Sequence, residues 1–508
     1  MLRAGRQGAR LSDKVFDLLV IGGGINGCGI AADAAGRGLN VALVEAGDLA
    51  GGTSSASSKL IHGGLRYLEQ YEFRLVREAL AERETLLAKA PHVVWPMRFV
   101  LPHVDGMRPA WMLRAGLFLY DHLAARRTLG GSHRLVLERD QAGRPLSPSL
   151  KTGFSYWDCW VDDARLVVLN AIAAREAGAS VRTRTPVTEL KVEAGLWMAR
   201  LGDGGEVAAR AVVNAAGPWA EAVARLALGP RNAPSPKLRL VKGSHIVVPR
   251  VSGAEDAYIF QTRDGRVVFA LPFEERFTLI GTTDVAFDGD PRDAEASAPE
   301  IDYLLGVANA MFATPVSRGD IVWTFAGVRP LDDDGSEVAS AVSRDYRLDL
   351  DTGAGAPLLH VIGGKITTYR RLAEHALDLL APTFPNMGRA FTASAPLPGG
   401  DLGGQTFDVW FGALCRGHPG FERATLHRLA RRYGARITHI VGDAKSEADL
   451  GAVLGGGLTA REIAYLKAEE WAVTPDDVLW RRTKAGLHVA PERRGAAVDA
   501  ISQALGRG

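Results

Sequence analysis

The chain has 508 residues, of which 47% are hydrophobic and 23% are charged, and its formal net charge is +2 at pH 7. This length predicts two or three domains, and the nearly balanced charge argues against a nucleic-acid-binding protein. Cys28, Cys159 and Cys415 lack the spacing of a metal site, so no metal is expected and a reduced, cytosol-facing protein is the simplest interpretation. The basic N-terminal stretch lacks the pattern of a signal peptide, and no run of about 18 apolar residues predicts a transmembrane helix.

Residues 15–45 have the pattern of a dinucleotide-binding β-α-β unit. The apolar run VFDLLVI predicts a buried strand, GGGING contains G-x-G-x-x-G, a helix rich in alanine follows, and NVALVEA predicts a second strand. The helix N-terminus would offer N–H groups to a pyrophosphate, and the acid that ends the second strand would accept ribose hydroxyls. The alternative is a glycine-rich turn that binds nothing. The cofactor residues predicted in this unit are Gly22, Gly24, Ile25, Asn26, Gly27 and Glu45.

A loop rich in glycine and hydroxyl side chains follows the second strand. Its sequence, GDLAGGTSSASSKLIHGG, departs from the regular β-α alternation of a nicotinamide-binding domain. Small polar groups suit a pyrophosphate, a ribityl chain and a flavin edge, whereas the alternative is a serine-rich surface loop. The cofactor residues predicted in this loop are Thr53, Ser54, Ser58, Lys59, Leu60, His62 and Gly63.

Two distant segments repeat the turn from strand to helix. They are AVVNAAGPW at 211–219 and LLHVIGGKITTYRRLAEHA at 358–376. A helix that begins near Lys365 would face the flavin pyrimidine edge, where negative charge accumulates on reduction. Three such turns across the chain predict a discontinuous cofactor domain. The cofactor residues predicted in the two later turns are Gly217, Gly364, Lys365 and Thr367.

Several segments together resemble the FAD-dependent aerobic glycerol-3-phosphate dehydrogenases. They are VIGGGINGCGIAADAAGRGLNVALVEAGDLA, TSSASSKLIHGGLRYLEQYEFRLV, YWDCWVDDARLV, KGSHIVVPR, IGTTD, WTFAGVRPL and GGKITTYR. The resemblance implies a D-amino-acid-oxidase-like fold with non-covalent FAD. It also implies oxidation of sn-glycerol 3-phosphate to dihydroxyacetone phosphate, with electrons passed to membrane ubiquinone at the inner face of the cell membrane.

A phosphate ester requires fixed cations, because its phosphate carries about −1.5 to −2 charge near neutral pH. Arg66 and Arg329 suit this role, since a guanidinium can hold two phosphate oxygens at once. Arg329 lies in the apolar stretch WTFAGVRPL, where an unpaired arginine would be costly to bury. The alternatives are a solvated Arg66 at a helix start and an ion pair of Arg329 with an acid such as Asp332. Tyr67 is expected to orient the phosphate or the carbinol.

Oxidation of the carbinol also requires a base for the hydroxyl proton, usually histidine. His245, in the alternating segment VKGSHIVVPR, is predicted to be that base, and a core histidine satisfied by the backbone is the alternative. Lys365 is predicted to stabilise the reduced flavin or the substrate oxygen, which completes a catalytic set with Arg329. Thr282 and Thr283, in IGTTD, are predicted to be hydroxyl donors of the pocket wall, unless they form only a strand-end turn.

The predicted fold is α/β: a discontinuous Rossmann-like FAD domain, an inserted substrate domain with a mixed or antiparallel sheet, and a C-terminal helical domain. The FAD domain is assigned to residues 14–90, 155–230 and 335–392. The substrate domain is assigned to residues 91–154 and 231–334. A linker rich in proline and glycine precedes the helical domain, which is assigned to residues 405–508 and carries no visible chemistry.

Residues 108–127 combine aromatic and aliphatic side chains with arginines, which is typical of a helix at a membrane surface. Most apolar helical stripes are core, but delivery of electrons to a lipid-soluble quinone favours peripheral contact with lipid. A flavin oxidase that uses oxygen, an amine or amino-acid oxidase, and a non-catalytic flavin-binding sensor remain as rival interpretations. The sequence leaves the oligomeric state open, with a homodimer among the alternatives.

Overall fold

The structure is a computed structural model that describes residues 14–104, 106–229, 237–251, 253–262, 265–333 and 345–506, apart from the side chains of Arg66, Glu69 and Gln70. The strands, in chain order, are β1 (Val15–Ile21), β2 (Val41–Val44), β3 (Leu60–Ile61), β4 (Val94–Pro102), β5 (His133–Val136), β6 (Thr152–Val161), β7 (Ser180–Arg182), β8 (Val187–Glu193), β9 (Leu196–Leu201), β10 (Glu206–Asn214), β11 (Leu238–Pro249), β12 (Ala257–Gln261), β13 (Val267–Phe273), β14 (Phe277–Gly281), β15 (Val285–Ala286), β16 (Trp323–Asp332), β17 (Arg347–Asp351), β18 (Leu358–Ile362), β19 (Val453–Gly455) and β20 (Leu458–Thr459). The α-helices are α1 (Ile25–Gly36), α2 (Phe73–Lys89), α3 (Ala110–His122), α4 (Asp163–Glu176), α5 (Ala220–Leu228), α6 (Ala298–Met311), α7 (Tyr369–Leu380), α8 (Phe407–Gly417), α9 (Arg423–Tyr433), α10 (Thr438–Val441), α11 (Ala460–Glu469) and α12 (Arg494–Ala504).

The first sheet has the order β17-β18-β10-β1-β2-β7, with β9 paired to β10 and β8 paired to β9. The pairs β18–β10, β10–β1, β1–β2 and β2–β7 are parallel. Helix α1 packs against α4 and α7, and its small residues permit close approach, since a Cβ on Gly29 would lie 2.7 Å from the Tyr369 ring. The three predicted strand-to-helix turns follow β1, β10 and β18. Because these strands are parallel neighbours, their turns lie at the same edge of the sheet.

The second sheet has the order β15-β11-β14-β13-β12-β4-β6-β3, with β16 paired to β11 and β5 paired to β6. The β12–β4 pair is parallel and the other pairs are antiparallel, so the sheet is mixed, as the sequence predicts. Strand β6 crosses the predicted boundary between residues 154 and 155. Its full pairing with β4 places it in the second sheet, because alternating residues of β6 pack on that sheet's apolar core.

The C-terminal part is helical, as predicted, with its own hydrophobic core built from α8 to α11 and the end of α12. A π-helix over Asp477–Arg482 follows α11, and its charged side chains contact Asp48 and Arg184, which follow β2 and β7 of the first sheet. Arg165 of α4 and Glu470 form a fully buried ion pair between the two parts. Within the described ranges, no helix is both long enough and apolar enough to cross a membrane.

Candidate active site

The turn between β1 and α1 has the geometry that the glycine motif predicts. Gly22 adopts a φ of +118°, which favours glycine, and a Cβ on Gly27 would lie 1.9 Å from the carbonyl oxygen of Gly22. Gly24 is the N-cap of α1 and has no side chain to cap the first turn, while the backbone N–H of Ile25 donates to Ser54 Oγ at 3.0 Å. This arrangement leaves room for an anionic diphosphate at the helix N-terminus.

Glu45 follows β2 and turns its carboxylate back to the glycine turn. The backbone N–H of Gly23 donates to Glu45 Oε2 at 2.6 Å, and that of Gly47 donates to Oε1 at 2.6 Å. Burial raises the pKa of Glu45 above its ordinary value, while the hydrogen bonds from Gly47 and Gly23 act in the opposite direction. The carboxylate lies beside the diphosphate cradle, and its contact with a ribose stays a prediction.

The hydroxyl-rich loop after β2 lies against the second sheet. Thr53 Oγ1 donates to the carbonyl oxygen of Val328 at 2.5 Å, which ties the loop to β16. Further along, Ser58 Oγ lies 2.9 Å from Nε2 of His245 on β11. The loop therefore joins the cofactor cradle to the strands that carry the predicted catalytic residues.

Two predicted cofactor residues of this loop turn their side chains into the protein. Lys59 Nζ donates to Asp163 Oδ1 at 2.8 Å, and the lysine is 1% exposed. Leu60 is buried in β3. A contact between either residue and a cofactor would therefore have to come from the backbone.

The end of the hydroxyl-rich loop contacts the turn after β18, and that turn also contacts α1. The backbone N–H of His62 donates to Thr367 Oγ1 at 3.3 Å, and Asn26 Nδ2 donates to the carbonyl oxygen of Gly363 at 3.2 Å. Gly364 adopts a φ of +94°. Asn26 Oδ1 is buried and has no hydrogen-bond partner in the described part of the chain. An orphaned acceptor beside a helix N-terminus whose N-cap residue is glycine fits a bound dinucleotide.

The remaining predicted glycines lie at the ends of neighbouring elements. Gly217, with a φ of +55°, opens a short 3-10 helix after β10, and a Cβ on Gly22 would lie 2.4 Å from the carbonyl oxygen of Ala215. The backbone N–H of Gly63 donates to the Tyr120 hydroxyl at 2.9 Å. The turns after β1 and β10 are therefore in contact, as the discontinuous cofactor domain requires.

The imidazole of His245 is enclosed and is 2% exposed. Phe325 stacks on it with ring centroids 4.7 Å apart and planes at 11°, and a Cβ on Gly281 would lie 2.1 Å from its Cδ2. The described partner of Nε2 is a side-chain hydroxyl rather than the backbone, and Nδ1 is buried without a partner among the described residues. One ring nitrogen is thus held by a hydroxyl, and the other is without a partner among the described residues.

The charge state of His245 follows from its surroundings. Burial, and then the positive charges of Arg329 and Lys59, hold the pKa of His245 well below its ordinary value. The ring is therefore neutral at pH 7, the state that can accept a proton.

Arg329 lies on β16 beside β11 and has a carboxylate partner, as one alternative predicts, but the partner is Asp284. Asp332 instead pairs with Arg347 at 2.9 Å, because residues three apart on one strand point to opposite faces of the sheet. Arg329 Nη2 also donates to Thr282 Oγ1 at 3.1 Å. The guanidinium and a hydroxyl thus lie together on the second sheet.

Lys365 and Tyr67 form a second polar pair, with Lys365 Nζ lying 3.7 Å from the centroid of the Tyr67 ring. The turn that precedes Lys365 is close to the end of β16, since a Cβ on Gly363 would lie 3.7 Å from the carbonyl oxygen of Pro330. The side chain of Arg66, the predicted second phosphate ligand, lies outside the described residues, and its role stays a prediction.

Sequence reasoning missed a buried carboxylate beside β11, Glu300 at the start of α6. Its Oε1 accepts hydrogen bonds from Ser244 Oγ at 2.8 Å and Thr283 Oγ1 at 2.7 Å, and Oε2 pairs with Lys242 Nζ at 2.9 Å. Burial opposes ionisation, but hydrogen bonds from Ser297, Lys242 and Thr283 outweigh it and lower the pKa of Glu300 to about 2. The S-x-x-E pattern at 297–300 predicts a helix start, but not this contact with β11.

The C-terminal part also reaches the cofactor cradle, which the sequence did not predict. Arg482 donates to Asp48 Oδ2 at 2.7 Å and to Asp48 Oδ1 at 2.8 Å, and both side chains are almost fully buried. Arg481 Nε donates to the same carboxylate at 2.6 Å. Because Asp48 follows the turn of Glu45, these arginines support the loop that begins at the predicted ribose site.

Comparisons with known proteins agree with this geometry. Residues 17–370 match the model of the FAD dependent oxidoreductase family, and residues 390–507 match the C-terminal domain of alpha-glycerophosphate oxidase. The chain is 55% identical over 487 residues to a glycerol-3-phosphate dehydrogenase of Pseudomonas aeruginosa, covering 95% of this chain and 94% of the relative. It is 51% identical over 491 residues to a D-erythritol 1-phosphate dehydrogenase of Brucella abortus, covering 96% and 97%.

A solved structure is similar over nearly the whole chain. The glycerol-3-phosphate dehydrogenase from Bacillus halodurans, complexed with FAD, has a TM-score of 0.76 and 29% identity, covering 98% of this chain and 92% of its own. The cofactor is therefore FAD, which fits the glycine cradle at the start of α1 and the orphaned amide oxygen described above. The chain belongs to the FAD-dependent oxidoreductases and, within them, to the glycerol-3-phosphate dehydrogenases.

Proposed function

We propose that the protein oxidises sn-glycerol 3-phosphate to dihydroxyacetone phosphate and passes the electrons to a membrane quinone. The observation that carries the proposal is the cluster of a neutral buried histidine, an arginine and a threonine hydroxyl on β11, β16 and the loop after β14. FAD, when bound, accepts the hydride that leaves the carbinol carbon. The substrate is taken from the names of relatives at 52–55% identity.

The phosphate would bind at Arg329, with Arg66 as the proposed second cation. Arg329 is held by Asp284 and Thr282, so its planar guanidinium is fixed before substrate arrives. A phosphate dianion would compete with the Asp284 carboxylate for the same donors, and Lys365 and Tyr67 would contact the rest of the ester. This arrangement favours phosphate esters over free polyols.

The proton of the carbinol would be accepted by His245. Its Nδ1 is the ring atom without a described partner, and the ring is neutral. A phosphate at Arg329 would also neutralise one of the two charges that lower the pKa of His245, so substrate binding would make the base stronger. Binding and proton abstraction would therefore be coupled through the charge of Arg329.

Two features of the reaction are to be decided by experiment: the number of carbons in the substrate and the identity of the electron acceptor. The relative from Brucella abortus is named for D-erythritol 1-phosphate, and the C-terminal model is named for an oxidase. Turnover should be compared for glycerol 3-phosphate and erythritol 1-phosphate, with a soluble quinone analogue and with oxygen. We expect the three-carbon ester and the quinone analogue to give the faster turnover. Faster oxidation of erythritol 1-phosphate would make the four-carbon ester the substrate. Stoichiometric peroxide as the main product would make oxygen the electron acceptor.

Replacing Arg329 by alanine should raise KM for glycerol 3-phosphate by about 10- to 100-fold, since a charge-assisted hydrogen bond contributes about 1.5–3 kcal/mol. Some loss of kcat is expected as well, because phosphate binding positions the carbinol. The residual oxidation of free glycerol should fall far less, as glycerol has no phosphate. The matched control is Arg347→Ala, which removes an arginine of β17 that pairs with Asp332. Equal losses for glycerol and its phosphate would make Arg329 structural.

We also propose that the protein docks on the inner face of the cell membrane through α3. Its exposed side chains include Trp111 at 70% and Phe118 at 57%, beside the exposed Arg108, Arg114 and Arg127, whereas Leu117 and Tyr120 are buried. An exposed apolar face flanked by cations suits an anionic lipid surface.

Vesicles that contain anionic lipid should sediment the protein and raise its quinone-linked activity. The double variant Trp111→Ser/Phe118→Ser should lose most of this binding, and high salt should release part of it, since screening weakens the electrostatic share. Val409→Ser, on α8, removes a comparably exposed apolar side chain and serves as the control. Unchanged sedimentation of the double variant would remove α3 from the contact.

A further inference from the structure

Ser58 is one of the residues that the sequence predicts to contact the cofactor, yet its described contact is with the base. Its Oγ lies 2.9 Å from His245 Nε2. A neutral imidazole carries one ring hydrogen, so only one nitrogen can accept a proton. The hydrogen must be on Nε2 if Nδ1 is to act as the base.

The loop fixes Ser58 firmly because both of its neighbours are bound to one carboxylate. Ser57 Oγ donates to Asp163 Oδ2 at 2.8 Å, and Lys59 Nζ donates to Asp163 Oδ1 at 2.8 Å. Asp163, at the start of α4, is 0% exposed. Lys59 adopts a φ of +59°, an unusual conformation for a lysine that these contacts hold in place. The hydroxyl of Ser58 is therefore presented to His245 at a set position.

The residues packed around the His245 ring restrict its rotation. Phe325 stacks on one face, and the close approach of Gly281 limits rotation of the ring. Among the described residues, the one polar partner of the ring is Ser58, while the buried Nδ1 has none.

We infer that Ser58 is a positioning residue for His245: its hydroxyl oxygen accepts the hydrogen of Nε2 and so leaves the lone pair of Nδ1 to take the carbinol proton. This inference rests on the proposed function. The carbinol O–H bond breaks and the proton moves to Nδ1, while the carbinol carbon loses its hydride to FAD, so the alcohol becomes a ketone. The hydrogen bond from Nε2 to Ser58 is kept in both the neutral and the protonated ring, because a hydroxyl oxygen can accept in either state.

Turnover of FAD-loaded Ser58→Ala should show a kcat lower by about 10- to 100-fold, with KM for glycerol 3-phosphate within about threefold of the wild type. Ser58→Thr, which keeps the hydroxyl, should restore most of the loss. FAD content is measured on the same samples. Unchanged kcat per bound flavin would overturn the inference, as would a loss of FAD affinity with full turnover once FAD is saturating, since Ser58 would then serve the cofactor alone.

The tautomer of His245 can be measured without any activity. In holoenzyme labelled with 15N-histidine, the His245 signals are identified by their absence in His245→Asn. We expect the Nε2–H form in the wild type and a mixture of tautomers in Ser58→Ala. The Nδ1–H form in the wild type would contradict the inference. If the holoenzyme oxidised no polyol phosphate, the proposed function would fail, and the tautomer result would still decide the role of Ser58.

Discussion

Replacing His245 by asparagine should lower kcat by about 10²–10⁴-fold, because a positioned general base contributes a factor of this size. The effect should fall on kcat rather than on KM, since the residues proposed to hold the phosphate are unchanged. Asparagine keeps a polar side chain of similar size next to Phe325 and Gly281, so the packing of β11 is largely preserved. The measurement is steady-state turnover of FAD-loaded enzyme with glycerol 3-phosphate.

The pH dependence gives a second test of the same residue. The pKa of His245 is held well below its ordinary value by burial, Arg329 and Lys59. The residue is therefore neutral above that lowered pKa and loses its basic form only when the pH falls through it. In the wild type, protonation of His245 should not reduce kcat/KM until the pH falls well below about 6.5, the ordinary value for histidine. This limb is separate from the one near about pH 6 that protonation of the substrate phosphate contributes. Because the positive charge of Arg329 lowers the pKa of His245, the Arg329→Ala variant should have a higher pKa at His245, and its acid decline should occur at higher pH. If the decline occurred at the same pH in Arg329→Ala as in the wild type, it would not be caused by protonation of His245.

Replacing Arg482 by alanine should destabilise the protein by about 1–3 kcal/mol, because the buried Asp48 carboxylate loses its bidentate partner and keeps only the hydrogen bond from Arg481. The loop after Glu45 should loosen as well, so the variant should retain FAD less firmly. Thermal unfolding of apo- and holoenzyme, with FAD affinity measured by titration, reports both effects.

The control for Arg482 is an exposed ion pair. Lys151 and Glu138 form a salt bridge with side chains 61% and 57% exposed, and Lys151→Ala should cost no more than about 1 kcal/mol. If Arg482→Ala unfolded at the wild-type temperature and retained FAD as the wild type does, the C-terminal part would not support the cofactor loop.

The parts of the fold that could be predicted are those encoded by neighbouring residues. The strand, glycine turn, helix and acid of residues 15–45 are contiguous, so their order alone predicts the cradle. The mixed second sheet could also be inferred, since its strands alternate apolar and polar residues. The sheet to which β6 belongs was not predictable in the same way. Its residues are equally consistent with the start of the cofactor segment, and only the pairing with β4 assigns them to the second sheet.

The contacts that tune the site were beyond sequence reasoning because they join residues far apart in the chain. Asp332 is close to Arg329 in sequence, but the pairing of β11 with β16 and the loop after β14 bring Asp284 to the guanidinium instead. The contact of Ser58 with His245 likewise depends on a loop of the first sheet lying against the second.

Anaerobic mixing of the FAD-loaded protein with sn-glycerol 3-phosphate tests the proposed function most directly. We expect the absorbance of oxidised flavin to disappear as one equivalent of dihydroxyacetone phosphate forms, while free glycerol at the same concentration leaves the flavin oxidised over the same time. A flavin that stays oxidised with saturating glycerol 3-phosphate would contradict the proposal.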